Sequence, residues 1–132
     1  MIAGRIHRAI SADGTEIAGR VHGQGPPLVL FHGLPEDGDI TWEALVPHLT
    51  DRFTCYLPSL RGRGLSGDNP DHAPPRRQED AVAFVDSIDE PVCLMGESDG
   101  AMLALHAATE AAAVVALEAI DLFESVPPRE PV

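Results

Sequence analysis

Gly96-Glu97-Ser98-Asp99-Gly100 lies between an apolar run, Pro91-Val92-Cys93-Leu94-Met95, and an alanine-rich run, Ala101-Met102-Leu103-Ala104-Leu105-His106-Ala107-Ala108. An apolar run, a G-x-S-x-G turn and a helix former read as strand, sharp turn, helix, the setting in which that motif makes a nucleophile elbow. A serine at such a turn is forced into a strained backbone conformation, and glycines on either side let strand and helix pack close beside it. Its hydroxyl then stands clear of the sheet, above a helix N-terminus that favours developing negative charge. Chance supplies roughly 0.05 such matches in a chain of this composition before strand and helix are required, so the motif is taken as the organising element.

The chain before it alternates strands and helices. Arg5 to Ile10 and Glu16 to His22 flank an Asp13-Gly14 turn and read as a hairpin. Leu28-Val29-Leu30-Phe31 is a continuous apolar run, expected for a strand buried on both faces, and ends in His32-Gly33-Leu34-Pro35. Thr41 is expected to cap a helix with Trp42, Leu45, Val46 and Leu49 on one face, although Pro47 inside it requires a helix end or a kink. A strand over Phe53 to Leu57 runs into a flexible glycine-rich and proline-rich segment, Pro58 to Pro75. A helix from Arg76 to Ile88 carries Ala81, Phe84, Val85 and Ile88 as its apolar stripe. After the elbow helix, Ala113 to Ile120 reads as a last strand, and the tail, 124–132, with three prolines in its last six residues, is expected to be disordered. The alternation predicts an α/β fold, with a mostly parallel sheet opened by an antiparallel N-terminal hairpin.

At 132 residues the chain is read as a single domain spanning 1–132. Nine arginines face twenty-one carboxylates, a formal charge of -12, which disfavours nucleic acid and anionic membranes as partners. No apolar run is long enough to span a bilayer and the first residues lack a secretory signal pattern, so a soluble, cytoplasmic protein is expected. Cys55 and Cys93 sit in strand-like runs and are expected to be buried thiols in a reducing compartment. No pair of side chains has metal-ligand spacing, and no cofactor is implied.

Residues 28 to 100 resemble the N-terminal half of an α/β-hydrolase of the serine-nucleophile branch. The resemblance rests on His32-Gly33-Leu34-Pro35, Arg61-Gly62-Arg63-Gly64-Leu65-Ser66 and the Ser98 elbow, in the family's order and spacing. It implies that Ser98 is the catalytic nucleophile and that the backbone amides of Leu34 and Asp99 form the oxyanion hole, with the His32 side chain orienting its loop. A small apolar ester-like substrate follows, attacked by way of an acyl-enzyme. The chain departs from the family in having Ser59 where an acidic residue commonly stands, two positions before Arg61. It departs more seriously in length, since members continue through further strands carrying a catalytic acid and histidine. The sequence therefore reads as a partial domain lacking the C-terminal strands.

A serine nucleophile needs a base within hydrogen-bond reach. Of six histidines only His106 follows Ser98, eight residues along the elbow helix and roughly 12 Å of rise away. His7 and His22 belong to the hairpin and His48 to the helix on the sheet's face. His72, in the flexible segment, is left as the one candidate that a loop movement could bring in. Asp121, after the last strand, stands where some members of the family carry their acid. Two function classes stay open: a serine ester hydrolase whose base is missing from the chain, or an inactive remnant acting as a binding or dimerising module. In either case the strand at 113–120 is expected to be an exposed edge, joining a homodimer or a complementing chain.

Overall fold

The computed structural model describes residues 5–33 and 42–111 together with the backbone of 114–120. Its strands are β1 (Arg5–Ile10), β2 (Glu16–Gly23), β3 (Pro27–Phe31), β4 (Thr54–Pro58), β5 (Val92–Glu97) and β6 (Val114–Ile120); its helices are α1 (Pro74–Asp86) and α2 (Asp99–Glu110). The six strands form one sheet in the order β1-β2-β4-β3-β5-β6. β1 pairs antiparallel with β2, and β2 antiparallel with β4. The β3–β4, β3–β5 and β5–β6 pairs are parallel. The expected fold class is the observed one, and the elbow strand β5 lies between β3 and β6. Leu34, Asp121 and the tail at 124–132 lie outside the described residues.

β3 explains why the sheet is covered twice. All five of its residues are buried, and their alternation sends Val29 and Phe31 to one face and Leu28 and Leu30 to the other. The first face packs against α1 and α2, with Phe84, Val85, Leu103, Ala104 and Ala107 joining Val92 and Leu94 of β5. The second face carries Trp42, Val46, Cys55 and Leu57. The helix expected after Thr41 is helical at Trp42 and gives way from Glu43 onward to turns around a short 3-10 helix at Val46–His48. Pro47 is the reason: it has no N–H to give to the ladder, and its ring collides with the carbonyl four residues back. Trp42 and Val46 are buried all the same, so the apolar spacing was meaningful although the helix does not continue along it. Cys55 is buried, which pushes its thiol up to about 11; Cys93 is only half-buried, because its face of β5 is less fully covered.

The segment after β4 differs most from expectation. Residues 59–73 contain no helix or strand, yet the segment is fastened rather than loose. The Arg61 side chain is fully buried and clamps Asp80 of α1 with Nε and Nη2 at 2.7 and 2.6 Å. Its Nη1 donates to Asp13 of the hairpin turn and to the Asp71 carbonyl, both at 2.8 Å. This fork-shaped pairing exploits the fixed donor geometry of guanidinium. Hydrogen bonding to Arg61 holds the Asp13 carboxyl far below the ordinary carboxylate range. Ser59, standing where the family has an acid, leaves no gap: its carbonyl accepts the Ser66 hydroxyl at 2.7 Å, and Ser66 Oγ accepts the Ala18 N–H at 2.9 Å.

Candidate active site

Ser98 joins β5 to α2 with φ 56° and ψ -120°. Only glycine enters this region freely, so a serine there carries about 1–3 kcal/mol of backbone strain held by its surroundings. Those surroundings are close-packed backbone. A Cβ on Gly96 would lie 2.7 Å from Ala101 Cα and run into the Gly100 carbonyl, and one on Gly100 would lie 2.6 Å from the His32 carbonyl and collide with that of Phe31. The two motif glycines thus let α2 settle directly on β5 and β3. Serine at a helix N-cap ordinarily accepts an N–H from the first turn; the Ser98 side chain makes no such capping bond. The residue is half-buried, and no hydrogen bond ties its hydroxyl among the described residues.

The end of β3 abuts this turn. A Cβ on Gly33 would be 3.2 Å from Ser98 Cβ and 2.8 Å from a carboxylate oxygen of Glu97. His32 is wholly buried. Its Nε2 accepts the Leu60 N–H at 3.0 Å, so the ring proton sits on Nδ1, 2.7 Å from the Gly33 carbonyl. Both ring nitrogens are therefore spent on holding the β3 and β4 loops together, as the resemblance implies. Asp99 is the first residue of α2 and follows Ser98 directly. Its amide is one of the orphan donors of the helix N-terminus, at the positive end of the helix dipole. Leu34, the other expected donor, is outside the described residues.

No histidine among the described residues hydrogen-bonds to the Ser98 hydroxyl. His22 on β2 is three strand places from β5, about 14 Å at ordinary strand spacing, and His7 on β1 is one place farther. His7 stands edge-on to Tyr56 and Phe84 with Nε2 2.8 Å from Ser87 Oγ, and burial lowers its pKa. His72 is not the loose candidate its sequence context suggests. Its Nε2 lies 2.7 Å from Asp68 Oδ1, a contact that lowers the Asp68 pKa. The adjoining Gly67 N–H is bonded to the Glu16 carbonyl of β2 at 2.7 Å, on the hairpin side of the sheet.

Sequence reading also missed a cavity. About 280 Å³ opens between the first turns of α1 and α2, walled by Pro74, Arg77 and Gln78 on one side, by Asp99, Met102 and Leu103 on the other, and by Leu60. It begins one residue from Ser98. Helix pairs give no sign in sequence of the space left between their ends. Among the described residues no group of three or more His, Cys, Asp or Glu side chains is placed to hold a metal, and no helix is long and apolar enough to cross a membrane.

A family model described as the alpha/beta hydrolase family matches residues 28–132. A pimeloyl-(acyl-carrier protein) methyl ester esterase of Methylococcus capsulatus is 40% identical over 94 residues, which cover 71% of this chain and 35% of that protein. A cis-3-alkyl-4-alkyloxetan-2-one decarboxylase of Xanthomonas campestris is 38% identical over 85 residues, 62% of this chain and 28% of its own length. The crystal structure of an alpha/beta hydrolase from Sphaerobacter thermophilus superposes with a TM-score of 0.76 at 35% identity, over 86% of this chain and 44% of that one. The chain thus spans about a third of the length of the curated relatives it matches.

Proposed function

The chain belongs to the alpha/beta hydrolase family, and from that premise we propose that it carries the nucleophile half of a serine ester hydrolase. The observation that carries this reading is Ser98 itself: a non-glycine residue at φ 56°, between two glycines whose replacement would meet backbone, with a hydroxyl that caps nothing. Such strain persists only where the surrounding structure enforces it, and it aims the oxygen away from the sheet. Ser98 Oγ attacks the ester carbonyl. The charge that develops on the carbonyl oxygen is met by the amides of Asp99 and Leu34, and the alcohol departs to leave an acyl-serine. Water then releases the acid. An ester-type substrate is favoured because relatives matched over most of the chain include methyl ester esterases.

The proton of Ser98 needs an acceptor that the described residues do not supply, and this favours a base from outside them. β6 is the route we propose. It lies beside the nucleophile strand at the edge of the sheet, and its sequence, with one charge and neither proline nor glycine, lacks the features that protect an edge. A further strand added there, from a complementing chain or a second copy, would extend the sheet on the side of Ser98. Light scattering on the 132-residue chain should show association, and Val115→Lys should weaken it; a monomer at high concentration refutes the pairing.

An activated fluorophosphonate tests the nucleophile. Ser98 should be the serine that labels, with the signal gone in Ser98→Ala. Positioning and oxyanion donors without a base leave about 10³–10⁴-fold over water in the serine-protease precedent, so labelling and ester turnover by the isolated chain should be slow. Labelling spread over the six serines would overturn the assignment and leave the second reading, a binding module.

A further inference from the structure

We propose that the cavity between α1 and α2 is a selectivity pocket for a carboxylate carried by the substrate, and that Arg77 is the residue that reads it. The proposal rests on the ester-hydrolase reading, since it makes the pocket part of the Ser98 site. Two neighbouring arginines in the first turns of α1 behave differently. Arg76 is paired, with Nη1 2.8 Å from Glu79 and Nε 3.5 Å from Asp71. Arg77 makes no side-chain hydrogen bond or ion pair among the described residues, although it is half-buried and lines the cavity. In a chain with twenty-one carboxylates and nine arginines, a guanidinium left without a partner beside a cavity is unusual, because surface acids are plentiful enough to meet it. Gln78, next to it on the same wall, has an amide equally uncommitted among the described residues.

The opposite wall sets the polarity. Asp99, the residue after Ser98, lines the cavity with an acidic side chain, and Leu60, Met102 and Leu103 add apolar lining. A carboxylate is repelled at the Asp99 end and attracted at the Arg77 end, so a ligand carrying one is oriented with its neutral ester toward Ser98. The volume, about 280 Å³, is at the lower limit of ordinary ligand pockets and equals about nine waters. It suits a short acyl or alkyl chain ending in an acid, and is too small for a long lipid. The substrate class is thus a small ester with a free carboxylate a few carbons away.

Binding and labelling separate this idea from the one beneath it. Ser98→Ala protein, titrated by NMR with monomethyl glutarate and with uncharged dimethyl glutarate, should bind the charged ester at least about tenfold more tightly, since one charged contact in a partly buried site is worth that much. Shifts should centre on Arg77, Met102 and Leu103. Arg77→Gln should erase the preference and leave the uncharged ester unaffected, whereas Arg76→Gln, outside the cavity, should keep it. In protein with Ser98 intact, a carboxylate-bearing phosphonate should label faster than a neutral one, and only Arg77→Gln should equalise the rates. Equal binding of the two esters, or a preference surviving Arg77→Gln, overturns the pocket assignment whatever Ser98 does. Arg77-dependent binding of the charged ester in a protein whose Ser98 never labels would sustain the anion pocket and sink the hydrolase reading.

Discussion

Two turns at the C-terminal ends of parallel strands are built on opposite principles. The turn after β5 is held by absence: Gly96 and Gly100 have no side chains, and backbone packs where a Cβ would otherwise stand. The turn after β4 is held by presence, through one buried arginine with partners forty-eight residues before it and nineteen after it. The first leaves a side chain unoccupied, as a reactive group must be; the second leaves none of its guanidinium nitrogens without a partner. The two meet at the cavity next to Ser98, which Leu60 of the clamped segment lines.

The largest test of this contrast is Arg61→Ala. It strands Asp80, which is 3% exposed, as a buried charge without its partner, and breaking such a pair costs about 3–5 kcal/mol. Chemical denaturation should show the loss, with segment 59–73 becoming protease-sensitive. A loss below about 1 kcal/mol would mean that the clamp is decorative.

Next in size is Gly100→Ala, which drives a methyl into the Phe31 and His32 carbonyls and should cost about 1–3 kcal/mol as an overpacking change. It should also abolish Ser98 labelling, since relief of the clash moves α2 and the elbow with it. Arg61→Ala, by contrast, should slow labelling less than it lowers stability. Reversal of that order would show that the two turns are one mechanical unit.

The smallest effect is the acid response. Asp13 is depressed by Arg61, so its folded value lies below its ordinary 3.8. A depressed carboxylate contributes stability that is complete above the unfolded value and is lost as pH falls toward the folded one. Stability should therefore drop below about pH 4, and Asp13→Asn should flatten that drop while lowering stability at neutral pH. An unchanged acid limb in Asp13→Asn would assign it to other carboxylates.

The apolar run of Leu28 to Phe31, the glycine spacing around Ser98 and the hairpin turn at Asp13-Gly14 were enough to predict the α/β class, the elbow strand itself and the strained serine. Each of these is written in neighbouring residues, because period, turn chemistry and the absence of a Cβ act over a few positions. Pro47 was read as a helix end or a kink, and the structure shows the regular helix interrupted there. Other features depended on distance. Nothing near Arg61 names Asp13 and Asp80 as its partners, nothing near His72 names the turn that holds it on the hairpin side, and nothing in α1 or α2 alone reveals the space between their first turns. Those features belong to the tertiary structure, since a charge finds its partner, and a cavity its walls, only after strands far apart in sequence have taken their places in the sheet.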